Sequence, residues 1–263
     1  GYVIGNLGTI NGNGDAFCSW NWKADGVGSS NSDGTITSTY TSPNTTADFS
    51  VVTFTGTGAT ATVGHGLGKK PAMIWIKVLN NTDDWNVWMG NKDSDQIGLL
   101  NESSGFYTPG DATINGSTTT TDVIGLGSGS PGNRSGAPIV AYCWAEKQGF
   151  SKFGSYIGNG NANGTFVHTG FKPAFVLIKV IDNNSQDWFI LDNKRSPFNL
   201  TDDSLAPNQN DQEYTSEANL DFLSNGFKLR MTSIRVNGAG SNYIYAAFAE
   251  NPFVTSTGIP GTA

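Results

Sequence analysis

Pro71-Ala72-Met73-Ile74-Trp75-Ile76-Lys77-Val78 returns 102 residues later as Pro173-Ala174-Phe175-Val176-Leu177-Ile178-Lys179-Val180. Both stretches are almost continuously apolar and rich in β-branched side chains, the pattern of a strand buried on both faces. The likeness extends outward. Upstream, Phe54-Thr55-Gly56-Thr57-Gly58 returns as Tyr156-Ile157-Gly158-Asn159-Gly160. Downstream, Ala141-Tyr142-Cys143-Trp144-Ala145-Glu146 returns as Tyr245-Ala246-Ala247-Phe248-Ala249-Glu250. A period the size of a small domain implies tandem copies of one folding unit.

The repeat divides the chain. Residues 1–48 read as an arm: Asp15 to Ala24 has the character of a closing strand of a preceding unit, and Gly26 to Thr46 is Gly-, Ser-, Asn- and Thr-rich linker. The first repeat occupies residues 49–148 and the second residues 149–254, leaving 255–263 as a small, polar, mobile tail. Gly1, standing where an initiator methionine would, reads as the start of a fragment or a processed chain.

Strand signals follow in order. The first unit offers Ser50–Thr55, Thr60–Val63, Ala72–Val78, Trp85–Met89, Ile97–Leu100, Ala112–Ile114, Asp122–Leu126 and Pro138–Trp144. The second offers Gly154–Ile157, Thr165–His168, Ala174–Val180, Trp188–Leu191, Leu220–Leu223, Phe227–Met231 and Asn242–Phe248. Asn-Gly pairs such as Asn225-Gly226 suit tight hairpins. These signals predict an all-β fold of two tandem antiparallel β-sandwiches, jelly-roll or lectin-like, with an extended N-terminal arm. Packing of the two copies as halves of one larger sandwich is the alternative.

Charge and composition narrow the function. The net charge is −7, and no basic stripe runs along the chain, which argues against nucleic-acid binding. No run of eighteen apolar residues occurs, the length a spanning helix needs. Two cysteines, Cys18 and Cys143, sit in matching aromatic contexts and read as small buried hydrophobes rather than a disulfide.

Candidate site residues recur in both copies. His65 and His168 precede the repeated strand and suit a shared structural task such as pinning a turn. Lys77 and Lys179 interrupt apolar strands, and Glu146 and Glu250 close the units, so a Lys–Glu pair within each unit is expected. Neither arrangement supplies the nucleophile–base pair or the converging carboxylates that catalysis requires. Trp85, Trp88 and Trp188 follow acidic turns that include Asp84 and Asp187. Aromatics beside Asp and Asn make a common sugar-binding surface, although a place in the core suits the paired tryptophans equally. The acidic clusters Asp83-Asp84, Asp93-Ser94-Asp95, Asp182 to Asp187 and Asp202-Asp203 could hold calcium, with solvated loops as the plainer reading. Trp20 and Trp22, on one strand face, could pack on the first unit. The loops Asn91–Ser135 and Ser196–Asn219 break the repeat and are the natural place for specific recognition.

Several strings together resemble a known family. Phe49 to Gly58, Val63-Gly64-His65-Gly66-Leu67-Gly68 with Pro71, Gly149 to Tyr156, Thr169 to Lys179 and Tyr243 to Phe253 are similar to the tandem β-repeats of marine bacteriophage virion proteins. The resemblance covers about residues 15–253. It implies an external, non-enzymatic component of a phage particle: a tail-fibre or appendage protein contacting a host glycan or envelope protein. As the alternative it admits a capsid fibre or decoration protein with a purely structural role, and less readily a polysaccharide depolymerase. It further implies other virion proteins as partners and a homo-oligomer, a trimer by analogy with phage appendages. No catalytic residue is carried over.

Overall fold

The computed structural model describes residues 3–91, 95–110, 113–183 and 185–250. The expected mobile tail, Asp93-Ser94 of one acidic cluster, Asn184 of another and the start of the expected strand at Ala112 lie outside the described residues. The fold is all-β and antiparallel. In chain order the strands are β1 (Tyr40–Asn44), β2 (Phe49–Thr55), β3 (Ala61–Gly64), β4 (Met73–Val78), β5 (Asn86–Met89), β6 (Ile97–Leu99), β7 (Val123–Leu126) and β8 (Pro138–Trp144). There follow β9 (Ser151–Ile157), β10 (Phe166–His168), β11 (Pro173–Val180), β12 (Phe189–Asp192), β13 (Thr201–Leu205), β14 (Tyr214–Leu223), β15 (Gly226–Leu229) and β16 (Asn242–Ala249). The helices are single turns, α1 (Gly8–Asn11) and α2 (Ser130–Asn133). Among the described residues, no helix is long and apolar enough to cross a membrane.

Six strands form one sheet in the order β1-β2-β8-β4-β5-β6, with β3 and β7 paired separately. Eight strands form the other, β10-β15-β14-β13-β12-β11-β16-β9. The run β2-β8-β4-β5-β6 therefore recurs as β9-β16-β11-β12-β13, and the β3–β7 pair recurs as β10–β15. In the second half the long β14 joins both groups into one sheet. That sheet curls toward a barrel: Thr165 donates its hydroxyl to the Ile157 carbonyl at 2.8 Å, drawing the ends of the edge strands β9 and β10 together.

Strand alternation builds three cores. Ile74, Ile76 and Val78 of β4 face a first-half core with Val52, Phe54, Val63, Trp88 and Ile124. Val176, Ile178 and Val180 of β11 face the second-half core with Phe189, Leu191, Phe227 and Tyr243. The opposite faces meet each other: Met73, Val87 and Trp144 share a third core with Phe175, Leu177, Ile190 and Phe248. The repeated strands are apolar at nearly every position because each borders two cores.

Several expectations are corrected. The linker at Gly26 to Thr46 contains β1, which pairs with β2 from Tyr40↔Thr53 to Asn44↔Phe49. Its Thr/Ser content concealed a strand whose buried positions are Thr41 and Ser42. The loop Ser196–Asn219 contains β13 and most of β14, polar strands that alternation in apolar residues does not reveal. Ile114 makes only an isolated bridge to Leu126. At the Leu223-to-Gly226 hairpin the turn is Ser224-Asn225, and Gly226 already pairs with Leu223. Gly226 is needed for closeness instead: a Cβ there would lie 2.0 Å from the Val167 carbonyl oxygen. Cys143 is buried, but Cys18 is exposed, so only the former is a small core hydrophobe; both are free thiols.

Candidate binding cleft

The residues shared by the two copies turn out to be fasteners. Trp85 N–H donates to the Asn101 side chain at 2.8 Å, while Asn101 donates to Asp84 at 2.7 Å. Trp188 N–H donates to Asn208 at 3.0 Å, while Asn208 and Gln209 donate to Asp187 at 2.6 and 2.8 Å. Asp84 and Asp187 thus hold the start of β5 and the approach to β12 by the same clasp. Neighbouring Asp83 is held by the Arg134 guanidinium, with contacts of 2.8–3.1 Å.

The lysines do not pair with the glutamates. Lys77 turns back on the loop that follows its own strand and donates to the carbonyls of Asn81 (3.0 Å) and Asp83. Lys179 does the same to Gln186 and also reaches the Ser103 carbonyl of the first half at 2.9 Å. Glu146 pairs with Lys152 and Glu250 with Lys172, each at 2.8 Å. The expected Lys–Glu pair fails because turn carbonyls lie nearer to each strand lysine than the carboxylate at the end of the unit. Lys179 is fully buried over the Trp188 ring, and burial pushes its ammonium down to about 8.

His65 pins a turn as expected. It is buried, its Nδ1 accepts the Leu67 N–H at 3.2 Å, and its Nε2 lies 3.3 Å from the Thr120 carbonyl. With Nδ1 accepting, the proton belongs on Nε2, and burial holds the ring below its ordinary pKa. His168 does not share the task. It is exposed, and its neighbour Thr169 takes the place of His65, accepting the Phe171 N–H at 3.4 Å. The two histidines are one register step apart, with His168 aligned to Gly64.

The three tryptophans named from the sequence separate. Trp88 is buried in the first-half core beneath Lys70, and Trp188 is buried between the halves, its indole N–H donating to the Leu99 carbonyl at 2.8 Å. Trp85 is half-buried and stacks on Tyr142, with centroids 6.1 Å apart. It faces a cleft of about 430 Å³ on the side of the six-stranded sheet that the second half leaves uncovered. Trp20, Asn21, Trp22, Phe49, Trp75, Leu100, Tyr142 and Trp144 complete the wall, so five of the seven tryptophans line one cavity.

The arm forms one rim. It is not a strand: residues 15–24 lie outside every sheet. Trp22 makes edge contacts with Trp144, Phe175 and Phe248, so the arm packs on both halves and not on the first alone. Arg195 lies 5.7 Å over Trp20.

Two features separate this wall from ordinary core. First, the indole N–H groups of Trp75 and Trp144 are buried without a hydrogen-bond partner among the described residues. An unpaired buried donor carries a desolvation cost that calls for an explanation. Second, the wall departs from the repeat. Where the first half has Trp75 and Tyr142, the second has Leu177 and Ala246. The scaffold tolerates small residues there, so large rings are not a requirement of the fold. That departure was the signal available in the sequence, and attention to the residues the copies share passed over it. Among the described residues, the wall carries no carboxylate, imidazole or thiol.

A family model described as a domain of unknown function, DUF7483, matches residues 1–252. No curated protein and no solved structure matches the chain.

Proposed function

Starting from a chain that belongs to the DUF7483 family of domains of unknown function, we propose that the protein is a non-enzymatic recognition component on the outside of a bacteriophage particle. In this reading it is a tail-fibre or appendage protein of two tandem sandwich units, and the aromatic cleft takes a sugar unit of a host surface glycan. The single observation that carries the binding role is the cleft. Sugar rings present C–H faces that stack on indole and phenol rings of the kind that line this cleft. Its volume falls within the range of small-ligand pockets. Among the described residues, the wall is aromatic and apolar with Asn21, a lining suited to stacking on a sugar ring. The phage assignment is supported by the sequence resemblance alone.

The test is a glycan array carrying bacterial surface polysaccharides, probed with the purified chain. Binding of a defined glycan, left uncut afterwards, agrees with the proposal. Cleavage would return a depolymerase, and no binding to any glycan or host cell would remove the adhesin reading. A capsid decoration role would be recognised by locating the chain on intact particles by electron cryomicroscopy.

A further inference from the structure

The first half contains a piece that the second half lacks. Residues 35–44 run through the gap between β2 and β3. Ile36 N–H donates to the Thr62 carbonyl of β3 at 2.8 Å, and Thr35 and Thr62 exchange backbone-to-hydroxyl bonds of 3.0 and 2.9 Å. The segment then becomes β1 and pairs with β2 over five residues, while the Ile36 side chain enters the first-half core. In the second half the corresponding strands are β9 and β10. Only six residues, Ala145 to Phe150, join β8 to β9, so no preceding segment is available to fill their gap.

The gap accordingly holds no strand. β9 pairs with no strand but β16 and β10 with none but β15, while the outer edge of β9 is met at its start by Lys147 and Glu146 and at its end by Thr165. Beneath the first-half segment Gly64 is buried and Thr62 half-buried, whereas their counterparts His168 and Phe166 are exposed. Ile157, at the end of β9, is 61 % exposed and Phe166 43 %. A strand edge without a partner strand, beside exposed apolar side chains, is a template for an added strand.

We propose that the β9–β10 gap receives the segment Val254–Pro260 of a second copy of this chain. Its chemistry matches the segment already used: Ile36-Thr37-Ser38-Thr39, followed by Pro43, is echoed by Val254-Thr255-Ser256-Thr257, followed by Pro260. Direction selects the second copy. β1 enters opposite Thr53 and leaves opposite Phe49, so an equivalent strand on β9 enters near Ser155 and leaves near Ser151. A chain's own residue 248 already lies opposite Ser151, the exit end. The few residues from 250 to 253 reach about 14 Å at full extension, while β9 is roughly 20 Å long. The same chain therefore arrives at the wrong end, a constraint that a neighbouring copy does not share.

The test is the molar mass of the full chain by light scattering over a concentration series, with two variants. Ser155→Pro removes an N–H on the outer edge, the edge on which Phe153 N–H meets Glu146, and leaves the ladder to β16 intact. Val254→Glu places a charge where the donor needs an apolar side chain. We expect the wild type to assemble and each variant to dissociate at least ten-fold more readily. A wild type that stays monomeric at about 100 μM would overturn the proposal. So would Val254→Glu chains that assemble as the wild type does, whatever Ser155→Pro does to folding.

Discussion

Lys179 shows how one side chain can be fixed by its surroundings and still sense the solution. Its ammonium is buried and holds turn carbonyls on both sides of the contact between the halves. Burial favours the neutral form, lowering the group from 10.5 to about 8. Between these values the unfolded chain binds more protons than the folded one, so this residue's contribution to stability rises with pH from about 8 to 10.5. Denaturant unfolding at pH 8 and pH 10, compared between wild type and Lys179→Met, should show a wild-type gain on the order of 2 kcal/mol that the variant lacks. An equal pH dependence in both proteins would contradict this account. The position itself was legible: a lysine in an apolar strand, twice. Its partner was not, because backbone carbonyls of a following turn leave no mark in side-chain identity. His168 was misread for a related reason. A histidine near the expected place looked equivalent to His65, while the hydrogen bond had passed to the hydroxyl of Thr169.

At the scale of elements, a repeated asparagine does more than the repeated histidine. Asn133 accepts the Thr57 N–H at 2.8 Å and donates to the carbonyls of Ala59 and Gly127 at 2.6 and 3.0 Å. Asn237 accepts the Asn159 N–H at 3.0 Å and donates to the corresponding carbonyls of Asn161 and Met231 at 2.8 and 2.7 Å. Both are fully buried, and each ties the end of one strand (β2 or β9) to the turn before the closing strand. Asn237→Ala strands a donor and two acceptors, so a loss of about 3 kcal/mol in denaturant unfolding is expected. A loss below about 1 kcal/mol would mean that the turns hold without it. The apolar strands β4, β8, β11 and β16 were readable because alternation between two cores leaves them apolar at nearly every position. β1 and β13 were not, since their buried positions are filled by threonine and serine rather than by hydrocarbon.

Across the whole molecule, duplication supplies the scaffold and asymmetry supplies the candidate site. The arm spans the two halves through Trp22, whose rings meet Trp144 in one and Phe175 and Phe248 in the other. Trp22→Ala should cost about 2 kcal/mol of stability, and a thermal shift below 2 °C would assign the arm a marginal role. The cleft beside it exists because Trp75 and Tyr142 replace what the second copy fills with Leu177 and Ala246. Their large rings were visible in the chain, but only the packing shows that both halves leave them partly uncovered. The central claim is that these rings bind a sugar rather than complete a core. The direct measurement is a fluorescence titration of wild type and Trp75→Leu with a polysaccharide from the host envelope. The account predicts saturable binding by the wild type, and at least ten-fold weaker binding by a variant that unfolds within a few degrees of it. Equal affinity of the two proteins would contradict it.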